Sequence, residues 1–186
     1  VRLAVVTGNP HKFEEVAAFL AGTVELERVP LDCPEYRDDE VGPIAIEKAR
    51  FAYASLGRPL IVDDTGLFVT ALGGFPGPYA AYVLRTIGNE GLLRLLEGGA
   101  YRSAHFVTAV AYADTDGIRV FEGRLDGEIT DGPRGAEGFG YDPIFAVGGL
   151  TLAELPLAEK NRFSHRARAL AAFRDWFAGP GAGNNR

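Results

Sequence analysis

The chain has 186 residues, 47% hydrophobic and 24% charged, which is the usage of a globular protein large enough to bury a core within one domain. A formal net charge of -6 excludes a nucleic-acid coat protein, whose phosphate affinity would rest on a basic surface. The lone cysteine, Cys33, excludes an intramolecular disulfide and suits a reducing cytoplasm.

The first apolar run, residues 3–6, is too short for a signal peptide, and no stretch of about 18 apolar residues marks a membrane span. The expectation is a soluble, cytoplasmic protein. That run reads as a strand. It turns at Thr7-Gly8-Asn9-Pro10 into a helix whose apolar residues Phe13, Val16, Ala17 and Leu20 follow helical spacing. Residues 24–29 read as a second strand and 34–43 as a polar loop. Residues 44–56 read as a helix with Ile44, Ala45, Ala49, Ala52, Tyr53 and Leu56 apolar. Residues 60–62 then form a buried strand expected to end on Asp63-Asp64.

Gly and Pro make 73–78 a loop, and 79–87 and 90–96 read as short helices. Residues 104–113 and 118–122 are strand-like about the turn Asp114-Thr115-Asp116-Gly117, and 124–130 continue in strand style. That turn is no calcium loop, because Leu125 stands where a bidentate Glu is required. The last helix spans 164–177, capped by Ser164, with Ala167, Leu170, Phe173 and Phe177 inward. The glycine-rich residues 179–186 read as a flexible C-terminal tail. This order predicts an α/β fold, a two-lobed mixed sheet with flanking helices and an active site in the cleft between the lobes.

Four segments carry chemistry. Thr7-Gly8-Asn9-Pro10-His11-Lys12 puts a glycine, short polar side chains and an ammonium at a helix start, where free N–H groups and the dipole favour a phosphate. Asp63-Asp64-Thr65-Gly66 puts adjacent carboxylates after a buried strand, suited to holding Mg²⁺ or accepting a proton from water. Glu35 is a further carboxylate in a loop rich in acids. Gly138-Phe139-Gly140-Tyr141-Asp142-Pro143 lets a flat ligand approach the backbone, with Phe139 as stacking platform and Tyr141 as the aromatic better suited to the core. Lys160, Arg162, His165 and Arg166 gather positive charge at a helix N-terminus, where the dipole opposes it and a function would explain it. The chain has only three lysines against sixteen arginines, and Lys12 and Lys160 fall in these segments. The third, Lys48, lies in the second helix.

In this order, and with Gly73-Gly74-Phe75-Pro76-Gly77 between them, these motifs closely resemble the inosine triphosphate pyrophosphatase (Ham1-like) family, over nearly the whole chain to about Phe177. The resemblance implies hydrolysis of ITP, dITP and XTP to the monophosphate and pyrophosphate with Mg²⁺, by a cytoplasmic homodimer whose residues 1–178 form one pyrophosphatase domain of two lobes. It implies that Thr7, Gly8, Asn9, Lys12, Lys48 and Thr65 hold the triphosphate and that Glu35 and Asp64 bind the metal. Asp64 would also be the proton acceptor. Phe139, Gly140, Tyr141 and Asp142 would frame base and sugar, with Lys160, His165 and Arg166 completing base recognition. Donors facing O6 of a purine favour hypoxanthine and xanthine over adenine, at on the order of 1–3 kcal/mol per polar mismatch. Guanine shares the 6-keto group, so its rejection must occur near C2.

In one place the chain departs from the family pattern. Tyr79-Ala80-Ala81-Tyr82 supplies no basic residue after the Pro-Gly loop, and Arg85 is the candidate substitute. Two other readings of the same residues remain: a Maf-like pyrophosphatase acting on other nucleotides, and a nucleotide sensor without catalysis.

Overall fold

The computed structural model describes residues 2–179. The expected tail therefore lies, past Gly179, outside the described residues. β1 (Arg2–Val6) leads to α1 (Pro10–Phe19), with Pro10 in the first turn, where its missing N–H leaves no bond unmade. β2 (Glu25–Val29) follows. α2 (Val41–Leu56) begins earlier than its apolar period suggests, because Pro43 falls in the first turn, where a helix tolerates it. It ends on Gly57 in the left-handed region, at φ 61°.

β3 (Leu60–Val69) corrects the expectation of a strand stopping at Val62. It runs ten residues, each paired antiparallel with β5 (Ser103–Asp114) from Leu60 opposite Ala113 to Val69 opposite Ala104. The two aspartates thus lie within the strand. β4 (Pro76–Gly77), α3 (Ala80–Thr86) and α4 (Gly88–Leu95) form the connection between β3 and β5. A two-residue turn then joins β5 to β6 (Gly117–Ile129), and Asp114 Oδ1 accepts from Asp116 N at 2.8 Å. The segments 118–122 and 124–130 are thus one strand, broken off only at Thr130. β7 (Phe145–Val147), β8 (Leu150–Thr151), α5 (Leu157–Lys160) and α6 (His165–Ala178) complete the chain.

The strands form one mixed sheet in the order β2-β1-β3-β5-β6-β7-β8, with β4 on β3. β1 is parallel to both β2 and β3, and the remaining pairings are antiparallel. Side chains of successive strand residues point to opposite faces, and the apolar pattern obeys this. Ala4, Val6, Leu60 and Val62 pack with Val41, Ala45, Ala49 and Ala52 of α2. Leu3, Val5 and Ile61 pack on the other face with Val16 and Leu20 from the α1 side and Leu170 and Phe173 of α6. A third core, around Leu67, Phe106, Leu125 and Phe145, takes in Ala80 and Leu92 from α3 and α4. Ala45, Ala49 and Ala52 of α2 are fully buried, which lets that helix lie close against the sheet.

Candidate active site

Strand alternation decides where the acids go. Asp64 has the parity of Leu60 and Val62 and so faces α2, where Lys48 Nζ donates to its Oδ2 at 2.6 Å. Asp63 has the parity of Ile61 and faces α1 and α6. Lys12 lies 3.4 Å from its Oδ2, and Arg166 Nε donates to the same oxygen at 3.1 Å. Adjacent carboxylates thus serve different helices. Burial alone would raise the Asp63 carboxyl, but Lys12 and Arg166 outweigh it and hold the group below the usual carboxylate range. Burial likewise opposes the Lys48 ammonium, and Asp64 outweighs it, so Lys48 sits above its ordinary value.

Behind Asp63 the charges continue inward. Arg166 Nη1 donates to Glu15 Oε2, Lys160 Nζ donates to Glu15 Oε1 at 2.5 Å, and the same ammonium donates to Asp142 Oδ2 at 2.6 Å. These side chains are almost wholly removed from water. Asp142, Lys160, Glu15, Arg166, Asp63 and Lys12 therefore form a chain of alternating sign with no net charge. Burial raises the Asp142 carboxyl, and Lys160 and the Phe139 N–H counter it only in part. The positive charge gathered at the start of α6 is neutralised from below, which removes the conflict with the helix dipole.

One cavity of about 570 Å³ opens over this arrangement, within the usual range for a small-molecule site. Asn9, Lys12, Lys48 and Thr65 line it, as do the carboxylates Glu35 and Asp64. Phe139, Gly140, Tyr141 and Asp142 form another part of the wall, and Lys160, His165 and Arg166 a third. Arg85 also lines it, its guanidinium 5.0 Å from the ring centre of Tyr82. Thr7 and Gly8 stand outside the lining. Thr7 Oγ1 instead accepts from Asn9 N at 3.1 Å and shapes the turn.

Four expected contacts take a different form. The sequence suggested free N–H groups at the start of α1, but Asn9 Oδ1 accepts from His11 N at 3.0 Å and Lys12 N at 3.5 Å. An anion there would meet the Lys12 ammonium rather than those amides. The Phe139 ring is stacked with His11, centroids 5.4 Å apart and planes 15° from parallel, with Lys160 Nζ 5.1 Å from its centre. Lys160 is buried between two carboxylates instead of reaching freely into the cavity. Tyr141 is nearly buried, and its hydroxyl donates to Ala80 O at 2.6 Å.

Two glycines make the geometry possible. Gly138, at φ 68°, lets its loop wrap the Asp142 carboxylate, since a Cβ there would lie 2.1 Å from Asp142 Oδ2. Gly123 of β6 lets α6 begin against the sheet, since a Cβ there would lie 2.1 Å from His165 O.

Sequence reasoning missed three side chains. Glu15 stands three residues after Lys12, on the same helix face, and that spacing is its only local signal. His11 belongs to the first motif but was read only as part of a turn. Thr108 is the one polar side chain in the run Phe106-Val107-Thr108-Ala109-Val110, and it is fully buried. Its Oγ1 lies 2.7 Å from Thr65 Oγ1 and 2.6 Å from His165 Nδ1. Burial, then Arg166, Lys160 and Lys12, push His165 well below its ordinary value, so the imidazole is neutral.

A mixed sheet with an ionic, aromatic-walled cavity over its central strands defines a small-molecule site rather than a macromolecular docking face. Residues 3–176 match the model of the Ham1 family. The chain is 49% identical over 187 residues to a dITP/XTP pyrophosphatase of Methanopyrus kandleri, covering 98% of this chain and 100% of that protein. It is 45% identical over 179 residues to a dITP/XTP pyrophosphatase of Thermococcus kodakarensis, covering 95% and 97%. The solved structure of the Staphylococcus aureus Ham1 protein superposes with a TM-score of 0.82 at 30% identity, covering 95% of this chain and 98% of that one. The chain belongs to the Ham1 family.

Proposed function

We infer that the protein hydrolyses dITP, XTP and ITP to the nucleoside monophosphate and pyrophosphate. The observation that carries this reading is the convergence of Lys12, Lys48, the carboxylates of Glu35 and Asp64 and the neutral His165 on one cavity. The names of the relatives at 42–49% identity support the same substrates and disfavour the Maf-like and non-catalytic readings.

The donor set at Glu35 and Asp64 is hard oxygen on an open cavity, and among the described residues no group of three or more His, Cys, Asp or Glu could hold a metal alone. That fits Mg²⁺, which takes one or two carboxylates and completes its shell with water and substrate phosphates. When bound there, Mg²⁺ would supply stabilisation of the charge developing on the pyrophosphate leaving group. Lys12 and Lys48 neutralise the phosphates from the protein side. Asp64, held in place by Lys48, accepts the proton of the water that attacks the α-phosphorus, and the bond from that phosphorus to the bridging oxygen breaks. Thr65 lines the phosphate side of the cavity, and Thr7 and Gly8 hold the turn that presents Asn9 and Lys12. Gly140 admits the sugar to the wall, while Phe139, His165 and Arg166 meet the base. Arg85 on α3 faces the phosphates in place of the basic residue missing after the Pro-Gly loop. A reducing cytoplasm and a homodimer complete the reading. No helix of the described residues is long and apolar enough to cross a membrane.

A panel of dITP, XTP, ITP, dATP and dGTP with product identification tests it. Monophosphate and pyrophosphate from the first three are expected, while orthophosphate release or equal turnover of all five would overturn the reading. Asp64→Asn is expected to lower kcat by orders of magnitude while the melting temperature is retained, and near-normal turnover would place the base elsewhere.

A further inference from the structure

Three hydroxyl and ring contacts beneath the cavity form a line: Arg166 Nη2 to Thr65 Oγ1 at 3.2 Å, Thr65 Oγ1 to Thr108 Oγ1 at 2.7 Å, and Thr108 Oγ1 to His165 Nδ1 at 2.6 Å. A guanidinium cannot accept, so Thr65 Oγ1 receives a hydrogen from Arg166. A hydroxyl oxygen donates one hydrogen and accepts two, so the other two contacts run together in one of two orders: Thr65 to Thr108 to His165 Nδ1, which leaves the proton of the neutral ring on Nε2, or Nδ1 to Thr108 to Thr65, which leaves Nε2 bare. Only the first order turns a ring donor toward the cavity, and a 6-keto purine calls for a donor.

The ring is also held in plane. Phe106 stacks on His165 with centroids 4.4 Å apart, and Phe106 and Thr108, two residues apart on β5, share one face of the strand. His165 Nε2 makes no hydrogen bond to any described residue, and the only buried side-chain nitrogen or oxygen among them without a partner is Asn89 Oδ1. Nε2 therefore reaches the open volume of the cavity that His165 lines. A neutral imidazole carries one proton, so accepting at Nδ1 makes Nε2–H a donor.

We propose that Thr108 is a specificity-determining positioning residue: by donating to His165 Nδ1 it fixes the imidazole as the Nε2–H tautomer, which presents a donor to a 6-keto purine and rejects a 6-amino one. This rests on the reading that His165 faces the purine edge. Thr108 itself touches no substrate. It acts through His165, and the same side chain in the other tautomer would present an acceptor and favour adenine.

The test has a part that needs no turnover. In the ¹⁵N-labelled full chain, the long-range ¹H–¹⁵N spectrum of His165 is expected to show Nδ1 unprotonated and Nε2 protonated, and the opposite assignment overturns the proposal. Thr108→Val keeps the shape and removes the hydroxyl, so it is expected to mix the tautomers and lower the ratio of kcat/KM for dITP over dATP on the order of tenfold. Thr108→Ser is expected to restore both. A packing role alone would leave the ratio and the spectrum of Thr108→Val unmoved, and that result overturns the proposal even if stability falls. If the wild-type chain turns over none of the nucleotides, the functional reading fails, while the ¹⁵N spectrum still decides the tautomer.

Discussion

Removing one member of the alternating chain from Asp142 to Lys12 strands a buried charge, and Glu15 is the member with most at stake because it serves both Lys160 and Arg166. Desolvating a charge costs several kcal/mol, and that cost is offset only while partners remain in place. Glu15→Gln is expected to destabilise the fold by about 3–5 kcal/mol, read as a fall in the urea midpoint. Glu25→Gln, which breaks the exposed pair with Arg2, is expected to leave that midpoint unchanged, because solvent screens the pair. His165 adds a pH term of known sign. Its folded pKa is depressed, so the unfolded chain binds the extra proton more readily, and the stability tied to the neutral ring is present above the unfolded value of about 6.5 and lost as pH falls toward the folded one. Measured between pH 7.5 and 5.5, wild-type stability is expected to fall more than that of His165→Gln. His105, also lowered, contributes equally to both proteins and cancels in the difference.

At the scale of elements, the start of α6 depends on one glycine of β6. A Cβ at Gly123 would stand 2.1 Å from His165 O and 2.5 Å from Ala169 N, both backbone atoms that move only if the helix moves. Gly123→Ala is expected to cost about 1–3 kcal/mol of stability and to lower kcat/KM for dITP, since His165 and Arg166 would shift with the helix. Gly132→Ala, where the space is open, is expected to change neither. The same elements mark how far the sequence could be read. Helical spacing in α1 and α6 and the apolar run of β5 leading into its Asp-Gly turn were legible, because each is a local signal. The extension of β3 through Asp63, Asp64, Thr65 and Gly66 was not, because Asp and Gly are poor strand formers and the pairing with β5 keeps them extended. For the same reason the motifs named most of the cavity wall but neither Glu15 nor Thr108, whose partners Lys160 and His165 lie far away in the chain.

Across the whole molecule, three apolar cores on one sheet carry the fold, and the buried charged groups are neutralised by one another within it. The metal expected at Glu35 and Asp64 therefore belongs to the chemistry and not to the architecture. Lys48 already pairs with Asp64, so that carboxylate is not left as a lone buried charge when no cation is present. Structural metals behave differently, because their ligand sets repel one another without the ion and unfold when it is removed. A chelator is accordingly expected to abolish turnover of dITP, with Mg²⁺ restoring it, while the melting temperature of the nucleotide-free protein stays the same. Adding nucleotide together with a divalent cation should raise that temperature, since a ligand at a hundred times its Kd stabilises by about 2.7 kcal/mol. A fall in the melting temperature on chelation alone would mean that the cation is part of the fold, and would move the metal site away from Glu35 and Asp64.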